Sequence, residues 1–333
     1  MSVFHRLYHR FWQFGGLTLV GEYIRLGAFG EFMKQGLLVL LKKKGISQAY
    51  ADIQRKIVPH LRKQYAPLLK QLISEYSEKE LTHQHSHRIW VCWFQGMENA
   101  PEIIRICQTS LRRYLKDREI IVLTDENISQ YVTFPKHIQE KYQKGKIPMA
   151  HYSDLLRLEV LTRYGGTWID ATVLCTGFGT QKAPWREGGM IITDILDADL
   201  FFFQYYHQGN TRFSGISNWF ISASSNQKSL LILKEMLYQY HKDYDCAMAY
   251  FIFHIFFMMI ARQLPEEVEQ MPRVSNKYCF ALENHLGGHY DEVWMKQLTD
   301  NCCFHKLSGR LWKEAEGKSD TYLCKIKEMF DEN

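Results

Sequence analysis

Asp154, Arg157 and Asp170, three of the five charged residues in one short stretch of the 333-residue chain, are spaced so that they could gather at one place. In the run His151 to Thr172, read HYSDLLRLEVLTRYGGTWIDAT, Asp154 and Arg157 are three apart, so on a helix they share a face. Gly165-Gly166 then stops the helix and reverses the chain into a β-rich run that carries Asp170. Two carboxylates and a guanidinium gathered at one edge of a sheet suit a phosphorylated ligand. When a bond to a diphosphate breaks, negative charge grows on the leaving group. A divalent cation held by a carboxylate, with basic side chains beside it, stabilises that charge. Each residue also has a purely structural reading. Asp154 with Arg157 then forms a helix-surface ion pair worth about 0.3 kcal/mol. Asp170 sits in an apolar run where an unpaired carboxylate is costly to bury, so it belongs either at an exposed strand end or against a partner.

Two histidine patterns carry less. His254, flanked by phenylalanines, reads either as an acceptor-site base or as a core histidine. The stretch His285-Leu-Gly-Gly-His289 offers two histidines four apart, but the glycines between them argue against the helix that a zinc site on this spacing needs.

The elements that must position these groups follow from the hydrophobic pattern. Arg88-IWVCWF-Gln95-Gly96 and Arg118-EIIVLT-Asp125 read as buried strands, with a helix between them from Pro101 through Leu111. A longer helix is predicted from about Ala150 to Tyr164, followed by a third strand over Thr167-WIDATVL. Buried strands alternating with helices predict an α/β fold with an open Rossmann-type nucleotide-binding sheet, whose ligands lie at the carboxyl ends of the strands. Further strands are expected near Met190 to Thr193 and Leu200 to Tyr205, then helices near Lys228 to Tyr240 and Ala249 to Ala261.

Residues 1–85 read as a helical N-terminal region, with apolar residues at helical spacing through Tyr23, Leu26, Phe29 and Phe32-Met33, and residues 86–333 as the main domain. The polar stretch Thr82 to His87 joins them. Inside the first region, Gly36-LLVLL-Lys42-Lys43-Lys44 sets an apolar run against a basic cluster. That pattern fits peripheral contact with an anionic membrane, and equally a helix packed on the main domain with a solvated basic end.

Composition narrows the classes. With 46% hydrophobic and 23% charged residues the chain is globular and not disordered. A net charge of +5, spread in short clusters, argues against nucleic acid as a partner and suits anionic small molecules. The eight cysteines form no CxxC pair and read as reduced thiols. Glu22 and Arg25 interrupt the N-terminal apolar stretch, so it does not read as a cleaved signal peptide, and a cytoplasmic location is expected. The most apolar window, Ala247 to Ala261, is shorter than the roughly 20 residues a spanning helix needs.

The run SDLLRLEVLTRYGGTWIDAT resembles the core motif of the glycosyltransferase family 32 group, in which Ser-Asp, two residues and Arg precede Tyr-Gly-Gly, an aromatic and a DXD element. It is most similar to the capsular polysaccharide synthesis proteins, where that element often reads Asp-Ala-Thr. Supporting likeness runs from IWVCWFQG through IIVLTDENISQYVTFP, NWFISA and YFIFH to HKLSGR at His305. The resemblance implies a GT-A-like fold and sugar transfer from a nucleotide-sugar donor to a saccharide acceptor of a capsular polysaccharide, with retention of configuration and with Mn²⁺ or Mg²⁺. It places Asp154 and Arg157 against the donor ribose and sugar, Asp170 at the metal-bound diphosphate, and Trp93, Gln95 and Gly96 at the nucleotide pocket. Thr172 departs from DXD: a neutral hydroxyl stands where a second carboxylate would ligate the cation. His305 and Lys306 resemble the late His and Lys of metal-dependent glycosyltransferases, His305 as a cation ligand and Lys306 as a neutraliser of diphosphate. Thr172 also leaves open a second reading, a catalytically weak sugar-nucleotide-binding partner in a polysaccharide-assembly complex. A nucleotidyltransferase would need a glycine-rich basic loop after the first strand, which this chain lacks.

Overall fold

The computed structural model describes Tyr8 and residues 15–177, 192–205 and 215–330. Two compact units are drawn from interleaved spans, the first from residues 1–81, 133–159 and 228–266, the second from residues 82–132, 160–227 and 267–333.

The first unit is helical among its described residues. Its longest helix, Ile46–Ser77, buries a stripe at intervals of four from Ala49 through Ile57 and Tyr65 to Leu69. One face of a 3.6-residue period is thereby apolar, and it packs on the helices Lys228–Asp243 and Ile252–Gln263. Tyr65 shows how the packing keeps its polar atom satisfied: its ring lies 4.8 Å from Phe256 while its hydroxyl donates to Asp243 Oδ2 at 2.7 Å. The helix Lys228–Asp243 ends against Lys141, whose ammonium donates to the carbonyls of His241 and Tyr244. A cation there satisfies orphan carbonyls and complements the negative end of the helix dipole. Near the N-terminus the helical periodicity is carried by two helices, Gly16–Arg25 and Phe29–Leu40, because Gly27 takes φ +65° between them.

The second unit is built on a five-stranded sheet. Its strands are β1 (Arg88–Cys92), β2 (Glu119–Leu123) and β3 (Gly166–Ile169), then β5 (Leu200–Tyr205) and β6 (Gly215–Ala223), in spatial order β2-β1-β3-β6-β5. Strands β4 (Val173–Cys175) and β7 (Phe304–Lys306) form a separate antiparallel pair. The α/β class and the strand, helix, strand order expected from the sequence are present. β1, β2 and β3 run parallel, the helix Glu102–Tyr114 supplying the crossover between the first two. β5 and β6 pair antiparallel, since residues 206–214 are too few for the crossover that a parallel pair requires. The core between the sheet and its helices is closed by Ile89, Val91, Leu111, Phe201, Phe220 and Phe304.

Two sequence expectations need correction. The single strand expected over Thr167 to Leu174 is two strands, β3 and β4, parted by a tight turn at Asp170 to Thr172 that sends the chain from one sheet to the other. Ile192 and Thr193 open a short helix, Ile192–Leu196, where a strand was expected; Met190 lies outside the described residues. Apolar residues in a run this short fit either element.

Candidate functional site

Asp170 owes its place to the two glycines before it. Gly165 and Gly166 adopt φ +67° and +98°, and a Cβ on Gly166 would lie 2.4 Å from the Arg88 carbonyl oxygen. Only glycine lets the chain leave the helix Met149–Tyr164 and enter β3 this close to β1. β3 is therefore a central strand, flanked by β1 and β6.

The ladder ends with the Asp170 N–H donating to the Trp219 carbonyl at 2.9 Å, and Val173 N–H returns to the Asp170 carbonyl at 3.0 Å. These two bonds define the turn and put the Asp170 side chain at the carboxyl end of β3. Trp168, two residues earlier and so on the same strand face, donates its indole N–H to Asp170 Oδ1 at 2.9 Å. From β7, Lys306 Nζ lies 3.1 Å from Asp170 Oδ2 and 2.5 Å from Thr172 Oγ1. The Lys306 and Asp170 side chains keep 21% and 25% of their exposure, so the ion pair is sheltered yet open to a ligand. The backbone fixes this lysine: its N–H donates to Cys279 O at 2.8 Å, and Leu307 N–H donates to Thr172 O at 2.9 Å.

The loop after β1 reaches the same edge of the sheet. β1 and β3 are parallel neighbours, with Trp90 beside Trp168, so their carboxyl ends emerge together. Trp93 is half-buried against the core, Gln95 is exposed, and Gly96 turns the chain at φ +79° with its N–H on the Trp93 carbonyl. Trp93, Gln95, Gly96, Asp170, Thr172 and Lys306 thus share the carboxyl edge, where open α/β sheets bind ligands.

His305 is not brought to this cluster. Successive residues of a strand face opposite ways, so with Lys306 turned to Asp170 the imidazole turns into the core. It is fully buried, with Nε2 3.0 Å from Thr176 Oγ1, and burial pushes its pKa down to about 4. The resemblance groups these two neighbours, and the alternation of β7 parts them.

Among the described residues the same geometry supplies no preformed cage for a divalent cation. Hard cations take six or more oxygen ligands, and Mg²⁺ draws them from waters and substrate phosphates as well as from one or two carboxylates. Here Asp170 and Thr172 both give an oxygen to the Lys306 ammonium, and His305 lies on the other face. Among the described residues no group of three His, Cys, Asp or Glu could hold a metal ion.

Asp154 and Arg157 are brought together in the first unit. Arg157 Nη1 lies 3.3 Å from Asp154 Oδ1, and Arg157 also donates to Ser153 Oγ at 3.1 Å. Both side chains are buried, at 9% and 6% exposure, so this is not the solvent-facing ion pair of the structural reading. His254 is mostly buried in the same unit; burial first, then the Arg157 charge, lowers its pKa to about 4. The sequence reading missed Trp168 and Ser153 as positioning groups. The signal for Trp168 was its i, i+2 relation to Asp170 on a strand, and for Ser153 its i, i+4 relation to Arg157 on a helix.

The second unit is thus an open α/β unit with a lysine and a carboxylate at its carboxyl edge. A family model described as "Capsular polysaccharide synthesis protein" matches residues 39–326, and the chain belongs to that family. Over 92 residues it is 32% identical to the O-glycosyltransferase braB of Annulohypoxylon truncatum, a match covering 25% of this chain. The match spans 22% of the length of that curated relative. A solved structure titled "PaToxG Glycosyltransferase" aligns over 82% of this chain and 95% of its own, at 13% identity and a TM-score of 0.38.

Proposed function

We propose that this protein transfers a sugar from a nucleotide-sugar donor to a saccharide acceptor in capsular polysaccharide synthesis, with Lys306 as the residue that receives the leaving diphosphate. The observation that carries this reading is the Asp170, Thr172 and Lys306 cluster at the carboxyl edge of β3, beside the loop that follows β1. Family membership and the likeness to an O-glycosyltransferase support the reaction class.

In this reading the acceptor hydroxyl oxygen bonds to the anomeric carbon, the bond from that carbon to the diphosphate oxygen breaks, and the hydroxyl proton is released. Negative charge develops on the diphosphate. Lys306 sits on a short, hydrogen-bonded strand and its ammonium is aimed by Asp170 and Thr172, so little reorganisation is needed as that charge grows. Asp170 is itself held by the Trp168 indole, which makes Trp168 a positioning residue. No step is routed through a metal ion, and Asp170 and Thr172 are engaged by Lys306. Trp93, Gln95 and Gly96 border the nucleotide, a role that rests on the family resemblance. Retention of configuration rests there too, and NMR of the anomeric proton in the product tests it.

The decisive experiment is nucleoside diphosphate release from nucleotide sugars by the wild type and by Lys306→Ala, compared in thermal unfolding. A drop of about 10²–10³ in kcat with an unchanged melting temperature is expected. Wild-type rates in the folded variant would sink the proposal. A wild-type protein that binds nucleotide sugar by calorimetry and turns over no acceptor would favour the non-catalytic partner instead.

A further inference from the structure

The first unit carries a surface that sugar transfer does not use. Met33, Leu37, Leu40 and Leu41, on the helix Phe29–Leu40 and its last cap residue, are 54%, 56%, 45% and 54% exposed. Their spacing of four, seven and eight residues from Met33 sets them on one helix face. The helix already has a buried side, through Gln35 and Val39, and packs on Ile46–Ser77. The outward stripe is therefore a second apolar face, where a helix facing water would carry polar residues. The neighbouring helix Gly16–Arg25 adds exposed Leu17 and Ile24, seven apart and so on one face of their own helix.

Charge follows directly on the stripe. Lys42, Lys43 and Lys44 succeed Leu41; Lys44 pairs with Asp52, while Lys42 and Lys43 are exposed and have no acidic partner among the described residues. The helix closes with Lys42 N–H on Val39 O and Lys43 N–H on Leu38 O, the paired bonds of a Schellman ending. That ending puts Lys42 at φ +55°, a conformation glycine adopts freely and a side chain does not. A lysine is thus held at a strained position at the mouth of an apolar face.

We propose that this face docks on an anionic bilayer surface, with Met33, Leu37, Leu40 and Leu41 at the acyl boundary and Lys42 and Lys43 among the headgroup phosphates. Such an arrangement is that of an interfacial amphipathic helix, and no helix among the described residues is long and apolar enough to cross a membrane. Charge selects the bilayer over a second copy of the chain. Two copies meeting on this face would gather unpaired lysines at their shared interface, whereas anionic headgroups neutralise them.

The test is co-sedimentation of the full chain with vesicles of phosphatidylcholine alone and of phosphatidylcholine mixed with phosphatidylglycerol. The wild type is expected to bind the mixed vesicles, more weakly as salt rises. Lys42→Gln with Lys43→Gln should weaken that binding about 25-fold, at about fivefold per lysine. Leu37→Ser with Leu40→Ser should weaken it at least about tenfold, with circular dichroism unchanged because both side chains are already exposed. Several outcomes overturn the proposal: no binding by the wild type, equal binding to neutral vesicles, or full binding by both variants. So does a wild-type dimer that Leu37→Ser with Leu40→Ser converts to monomer while vesicles are ignored.

Discussion

The two ion pairs that the candidate residues form differ in what surrounds them. Asp170 and Lys306 meet from two strands at a turn and keep about a quarter of their side-chain exposure. Asp154 and Arg157 meet three residues apart on one helix and are nearly closed off from solvent. Pairs of the same charge can therefore serve opposite ends. A buried pair mainly avoids the penalty of leaving one charge alone, whereas a half-open pair can exchange part of its interaction for a ligand.

Substitutions should separate the two pairs, and the largest effect belongs to the buried one. Asp154→Ala leaves the Arg157 guanidinium buried with one partner fewer, and should lower unfolding free energy by about 3–5 kcal/mol in urea titrations. A loss below about 1 kcal/mol would show that the helix pair is as dispensable as a surface one. Lys306→Ala should do the reverse, with stability within about 1 kcal/mol of wild type and nucleoside diphosphate release down by about 10²–10³. Added Mn²⁺ should not restore that release. Recovery beyond about tenfold would mean that a cation can do the work assigned to the lysine.

Acidification probes one buried imidazole from each unit. Burial holds His151 of the first unit and His305 of the second at a pKa of about 4, below the ordinary histidine value of 6.5. In the fold both rings stay neutral, while in the unfolded chain both take a proton below about pH 6.5. Their contribution to stability is complete above that pH and is lost as pH falls toward 4, at up to about 1.4 kcal/mol per pH unit for each ring. Replacing His305 by Gln should remove one such increment from the slope of urea midpoint against pH between 6.5 and 4; an unchanged slope would show that the ring titrates normally. The smallest effect is expected at Thr172. Thr172→Val deletes one hydrogen bond to Lys306 and should lower kcat by about fivefold, while Thr172→Ser should keep it near wild type. Equal rates for the two would remove Thr172 from the site.

Much of this was legible in the chain before folding was considered. The strand, helix, strand order came from hydrophobic runs of the right length, and the reversal at Gly165-Gly166 from the one residue type that tolerates φ near +67° and +98°. That Asp154 and Arg157 would meet followed from helix geometry alone. Asp170 stood out because a carboxylate inside an apolar run must have an explanation, and the structure supplies Trp168 and Lys306.

What the sequence determined was local: periods, stops, turns and the neighbours that a helix or strand brings within four residues. The tertiary structure alone decided the rest. It broke Thr167 to Leu174 into β3 and β4, buried Asp154 with Arg157, and brought Lys306 across 136 positions of chain to Asp170 while turning its neighbour His305 away. The reason is physical. Which face of β7 looks inward is set by its register against β4, and register is fixed by the packing of the whole unit and not by any motif within the strand.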